Sequence, residues 1–110
     1  MYTPAKTASY EAVVRKNASD AMEGIEPLQG PVKLTLSIVF PLPKSKRATR
    51  NRPAPTWHTS KPDASNVLKA VEDAMNGIVY RDDSQVASAS IVKVYSDDGS
   101  SRLVVQVEEL

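Results

Sequence analysis

Residues 61–86 read KPDASNVLKAVEDAMNGIVYRDDSQV, and the fold turns on this stretch. From Asp63 to Met75 the apolar residues Val67, Leu68, Val71, Ala74 and Met75, with Ile78 just beyond, fall on one side of a helical wheel. Ser65, Asn66, Lys69, Glu72 and Asp73 fall on the other. The spacing predicts an amphipathic helix, capped by Pro62 or Asp63 and ended by Asn76-Gly77, because glycine tolerates the left-handed turn that closes a helix. Asn66, Lys69 and Asp73 share one polar face, with Asp63 at its N-terminal edge. After Ile78-Val79-Tyr80 the polar turn Arg81-Asp82-Asp83-Ser84-Gln85 leads into an alternating, serine-rich strand from Val86 to Tyr95.

Working outward, Val32, Leu34, Leu36 and Ile38 alternate with Lys33, Thr35 and Ser37, the period of a strand with one buried face. Between it and the helix runs PLPKSKRATRNRPAPTW, residues 41–57, rich in proline and base and without periodicity; a mobile basic loop is expected over 41–60. On the C-terminal side, Asp98-Gly99 predicts a tight turn into a strand from Leu103 to Val107, hence a C-terminal β-hairpin. Near the N-terminus Tyr10, Val13, Val14 and Ala21 have helical spacing over residues 7–22, with Ser9 as N-cap. The expected architecture is α+β: one small mixed domain over 1–110, two helices packed on a sheet that ends in the hairpin.

The 110 residues are 41% hydrophobic and 25% charged, with one histidine and no cysteine. That composition excludes a disulfide scaffold and a zinc site of soft ligands, and leaves a Ser/His/Asp relay little to draw on. No apolar run approaches membrane-spanning length and no secretory leader is visible, so a cytoplasmic protein is expected. Net charge is +1, yet its distribution is uneven. Between Pro27 and Pro62 stand Lys33, Lys44, Lys46, Arg47, Arg50, Arg52 and Lys61 with no acid. From Asp63 to Asp98 the acids Asp63, Glu72, Asp73, Asp82, Asp83, Asp97 and Asp98 outnumber Lys69, Arg81 and Lys93. A basic stripe for phosphates beside an acidic cluster for a divalent cation suits an enzyme acting on a polyanion.

Any metal here must be held by oxygen. Magnesium takes a few carboxylates and keeps several waters. Asp63 at a helix start and Asp82-Asp83 at a strand entry are the candidate ligands, expected to converge at the sheet edge, with Asp73 in reserve. Lys69 is placed to position a phosphate or to steady charge on a leaving oxygen. The same residues also read more plainly, Asp63 as a helix cap and Asp82-Asp83 as a turn. Trp57 and His58, after the basic loop, are suited to stack on a base or donate to a phosphate, or to fill a core. Tyr80 and Tyr95 read as core or strand residues.

The run from Lys61 to Val86 resembles the core signature of the RusA family of Holliday junction resolvases, a K-P-D-x-D-N-x-x-K segment followed by N-G and D-D-S-Q. Tyr2-Thr3-Pro4-Ala5-Lys6-Thr7 and Tyr10-Glu11 resemble the family's lead into its first helix. The resemblance implies a homodimeric α/β endonuclease of the kind carried by phages and prophages, which resolves four-way DNA junctions with magnesium, one strand cut per subunit. Carried over by position, Asp63 matches the first essential aspartate, Asp82 and Asp83 the later acidic pair, and Lys69 the helix lysine. Asn66 and Asp73 also match signature positions. Lys44, Lys46, Arg47, Arg50, Arg52 and Lys61 are then expected to contact backbone phosphates. The signature's second helix aspartate is Ser65 here, a weaker, neutral ligand, so a non-catalytic junction-binding module is the alternative. The resemblance also leads one to expect a strand and a basic, proline-rich segment ahead of Tyr2.

Overall fold

The computed structural model describes residues 5–110. Helix α1 spans Ala5–Ala21, strand β1 Val32–Pro41, helix α2 Ala64–Met75, strand β2 Val86–Ser96 and strand β3 Arg102–Glu109; short 3-10 turns cover Lys44–Lys46 and Asp83–Gln85. Tyr2-Thr3-Pro4 lies outside the described residues. Among the described residues, no helix is long and apolar enough to cross a membrane.

The α+β expectation holds. β1 carries the most regular alternation in the chain, and it takes the centre of a three-stranded sheet in the order β2-β1-β3. Its Val32, Leu34, Leu36 and Ile38 are almost wholly buried, forming the core with Val67, Val71, Ala74 and Met75 of α2 and with Val79, Tyr80 and Val14. Each such side chain contributes roughly 1.5–3 kcal/mol relative to exposure, so the core shared by β1 and α2 stabilises the fold. α1 packs chiefly on α2. An apolar groove of about 500 Å³, lined by Val14 and Ala18 of α1, by Met22 just beyond it and by Leu103 and Val105, separates the helix from β3.

The C-terminal hairpin is not formed. The turn chemistry is as the sequence suggests: Gly99 has φ +77°, and Asp98 Oδ1 accepts from the Ser100 N–H at 3.0 Å. The flanking strands nevertheless lie on opposite sides of β1, β2 parallel to it (Leu36 opposite Ile91) and β3 antiparallel (Leu36 opposite Val105). Turn residues fix how sharply the chain reverses, not which strand fills the gap between its arms. Here the strand that fills it is the one whose apolar residues most need cover on both flanks. A second correction is smaller. α1 begins at Ala5, so Ser9 lies inside the helix rather than at its cap.

α2 ends as expected. Asn76 is its C-cap, Gly77 has φ +76°, and the Gly77 N–H donates to the Tyr80 carbonyl at 2.8 Å. Gln85 then ties the next turn down. Its Nε2 donates to the carbonyls of Leu28 and Gly30, both at 2.9 Å, while its Oε1 accepts from the N–H groups of Arg81 (2.8 Å) and Asp82 (3.0 Å). One side chain thus satisfies four backbone groups that would otherwise compete for water.

The segment expected to be a mobile basic loop carries its own hydrogen bonds. The Arg52 guanidinium donates to the carbonyls of Ser45 (2.8 Å) and Arg47 (3.2 Å), and the Thr49 N–H donates to the Arg52 carbonyl at 2.7 Å. Farther on, Trp57 pairs with Val94 as a short extra rung on the outer edge of β2.

Candidate active site

The route β1, α2, β2 is a crossover between parallel strands, so α2 must run back against them. Its N-terminus therefore lies toward the end of β1, with the basic loop, and its C-terminus toward the start of β2. That topology distributes the predicted residues. Asp63 stands at the N-terminal end and Asp82-Asp83 at the C-terminal end, with Asn66, Lys69 and Asp73 between them along α2.

At the C-terminal end the carboxylates gather. The Asn76 Nδ2 donates a long 3.5 Å hydrogen bond to Asp83 Oδ2. Glu72 is partly buried, and its pKa is raised first by desolvation, then by the negative charges of Asp83 and Asp73; only Lys69 pulls the other way. Beneath them Tyr80 is fully buried, its hydroxyl donating to the Glu72 carbonyl at 2.7 Å. Burial, and after it the charges of Glu72, Asp83, Asp73 and Asp82, push that phenol far above its ordinary pKa, so it stays a neutral donor. Glu72 is the residue sequence reasoning did not single out. It sat on the polar side of the wheel, but nothing in the sequence says that the turn after α2 folds back onto that position.

Asp82 has a different task. Its Oδ2 accepts from the Ser84 N–H at 3.0 Å in a capping box completed by Gln85. Hydrogen bonds from the Ser84 side chain and then its backbone hold the Asp82 carboxyl below the usual range. Asp83 is not tied into the turn in this way.

At the N-terminal end Asp63 occupies the cap position, but its side chain makes no capping hydrogen bond; only its backbone carbonyl is engaged, by the Val67 N–H at 3.1 Å. The plain cap reading therefore fails for this carboxylate, which is exposed. The chain entering it is anchored by Lys93, whose Nζ donates to the carbonyls of Ser60 and Pro62, each at 2.8 Å. Lys93 is a second residue that sequence reasoning did not single out.

Convergence of Asp63 with Asp83 is not what the structure shows. At a rise of about 1.5 Å per residue, Asn76 lies about 20 Å along the helix from Asp63. Since Asp83 reaches Asn76, the two carboxylates stay roughly 8 Å or more apart even with both side chains stretched toward each other. One ion with oxygen ligands at about 2.1 Å cannot join them. Among the described residues, no group of three or more His, Cys, Asp or Glu side chains is placed to hold a metal ion. The donor set at the Asp83 end nevertheless fits a hard cation that keeps most of its waters: mutually repelling carboxylates, and the Asn76 Oδ1, which is buried without a hydrogen-bond partner.

The profile of the family described as endodeoxyribonuclease RusA matches residues 1–108. The chain belongs to the RusA family. Two curated relatives are similar. YqaN of Bacillus subtilis (strain 168), described as an uncharacterized protein, is 34% identical over 116 residues, covering 100% of this chain and 79% of that protein. The crossover junction endodeoxyribonuclease rusA of Lactococcus phage r1t is 30% identical over 81 residues, covering 73% of this chain and 56% of that protein. In this RusA family member Asn66, Lys69 and Asp73 lie along α2, with Asp63 at its N-cap and Asp83 in the turn beyond it.

Proposed function

We propose that this chain is an endodeoxyribonuclease that resolves four-way DNA junctions in recombination and repair, acting as a homodimer with one strand cut per subunit. The observation that carries this reading is the cluster of Glu72, Asp73, Asn76 and Asp83, where burial and then the neighbouring negative charges raise the Glu72 pKa and an amide oxygen is left without a partner. Asp83, Asp73 and the Asn76 amide would hold magnesium there, with Glu72 beside them. Bound there, the ion would neutralise charge on the phosphodiester and activate water.

The remaining roles belong to this chain's own groups. Lys69 lies on the exposed stripe between the two ends of α2 and offsets the charge that develops on the leaving oxygen. Asp63 borders the basic loop, where Lys44, Lys46, Arg47, Arg50 and Lys61 contact phosphates without reading sequence. Arg52 acts one step back, by holding the loop's shape.

The test is incubation of the purified protein with a labelled four-way junction and a matched linear duplex, in magnesium or EDTA, beside Asp83→Asn. Paired nicks in the junction alone, dependent on magnesium and on Asp83, are expected; nicking by Asp83→Asn would refute the assignment. Ser65 supports a second reading, a junction-binding module without turnover. Junction binding in EDTA with no nicks in magnesium would select it.

A further inference from the structure

Trp57 is 61% exposed, an unusual position for the largest apolar side chain. It is not on a loose tip. The His58 N–H donates to the Lys93 carbonyl and the Tyr95 N–H to the Thr56 carbonyl, both at 2.9 Å, so residues 56–58 form a rung antiparallel to β2. Residues opposite one another on a ladder share a face. His58 turns to one face, where its ring stacks on Phe40 at 3.7 Å and 15° and meets Tyr95 tilted at 5.1 Å. Trp57 turns to the other, opposite Val94, away from the helices.

The indole is therefore held out to solvent by a backbone pinned from behind. Around it in sequence, from Pro27 to Pro62, there is no acid. Lys46 of the basic loop reaches back to the same edge from the His58 side, with its Nζ 5.6 Å from the Tyr95 ring centre. A fixed, exposed aromatic face that follows a segment rich in lysine and arginine suits stacking on nucleobases while the cations of that segment hold the backbone.

Building on the junction-resolving reading, we propose that Trp57 stacks on a base-pair face left open at the branch point, and so distinguishes a junction from a continuous duplex. Continuous duplex offers no open base face, so the contribution of Trp57 is confined to branched or frayed DNA. Trp57 is the chain's one tryptophan, so intrinsic fluorescence reports on it alone.

The experiment titrates a four-way junction and a matched linear duplex into the full chain in EDTA, reading both indole fluorescence and the anisotropy of labelled DNA. The junction is expected to quench the indole and the duplex to leave it unchanged. Trp57→Ala should lower junction affinity about ten-fold, with Trp57→Phe between it and the wild type and duplex affinity nearly constant. Circular dichroism melts of the variants should match the wild type, since the side chain is exposed. A junction that binds without quenching, or Trp57→Ala binding it as the wild type does, overturns the stacking role and leaves the nuclease reading standing. No binding of either DNA at low salt overturns both.

Discussion

At its C-terminal end α2 meets a turn that is locked to the core, whereas at its N-terminal end it meets a long basic segment whose first half is held by its own hydrogen bonds and whose last residues are pinned to the outer edge of β2. Gln85 and Tyr80 knit the first into the core and crowd Glu72, Asp73 and Asp83 together. Around Asp63 the carboxylate is exposed, and the nearby order comes from Lys93 and Arg52 bonding to backbone carbonyls. Where carboxylates are held close, the protein stores repulsion that a cation relieves; where cations are held on a shallow surface, it can follow a phosphate backbone. A single helix separates the two charged ends by its own length.

The largest effect should come from the acids at the two ends. Asp83→Asn is expected to lower junction cleavage on the order of a hundred-fold or more while binding persists. Asp63→Asn should also abolish cleavage. The pair sharpens the comparison through metal binding: a magnesium-dependent rise in Tm should survive Asp63→Asn and vanish in Asp83→Asn. The reverse pattern would move the cation to the N-terminal end.

Next, Gln85→Ala leaves the Leu28 and Gly30 carbonyls and the Arg81 and Asp82 N–H groups without their partner. A loss of about 2–3 kcal/mol in urea unfolding is expected, with the Asp83 cluster loosened. The opposite end should behave differently. Replacing Lys44, Lys46 and Arg47 together with alanine should leave stability unchanged, weaken junction and duplex binding alike, and lower the salt slope by roughly 2–3 units.

The smallest effect is a pH signature. Because folding raises the Glu72 pKa, the folded protein binds that proton before the unfolded chain does. Its stabilising contribution is complete below the ordinary value of 4.5 and is lost as pH rises through the raised value. Glu72→Gln should therefore raise Tm at neutral pH and do nothing below pH 4.5. Added magnesium should narrow the gap by screening Asp83 and Asp73. A Tm difference independent of pH would break the electrostatic account of this end.

Much of this was legible beforehand, and the reasons differ by residue. α2 lies within a residue of its predicted limits because proline, asparagine and glycine act on neighbouring backbone, and its buried face follows from the period of its apolar residues. The signature acids and Lys69 were visible as residue types at fixed spacing. Glu72 and Lys93 were not, since each gains its role from a segment that returns to it in space.

By itself the sequence determined the helices, the strands, the turn at Asp98-Gly99 and the separation of basic from acidic segments. These depend on periodicity, turn chemistry and composition, which act over a few neighbouring residues. Only the tertiary structure decided that β1 lies between β2 and β3, and that Asp63 and Asp83 stand at opposite ends of α2. Both follow from the pairing of β1 with β2 in parallel. That pairing buries the most apolar strand at the centre and obliges the connecting helix to run back along the sheet, carrying its two ends, and their charges, apart.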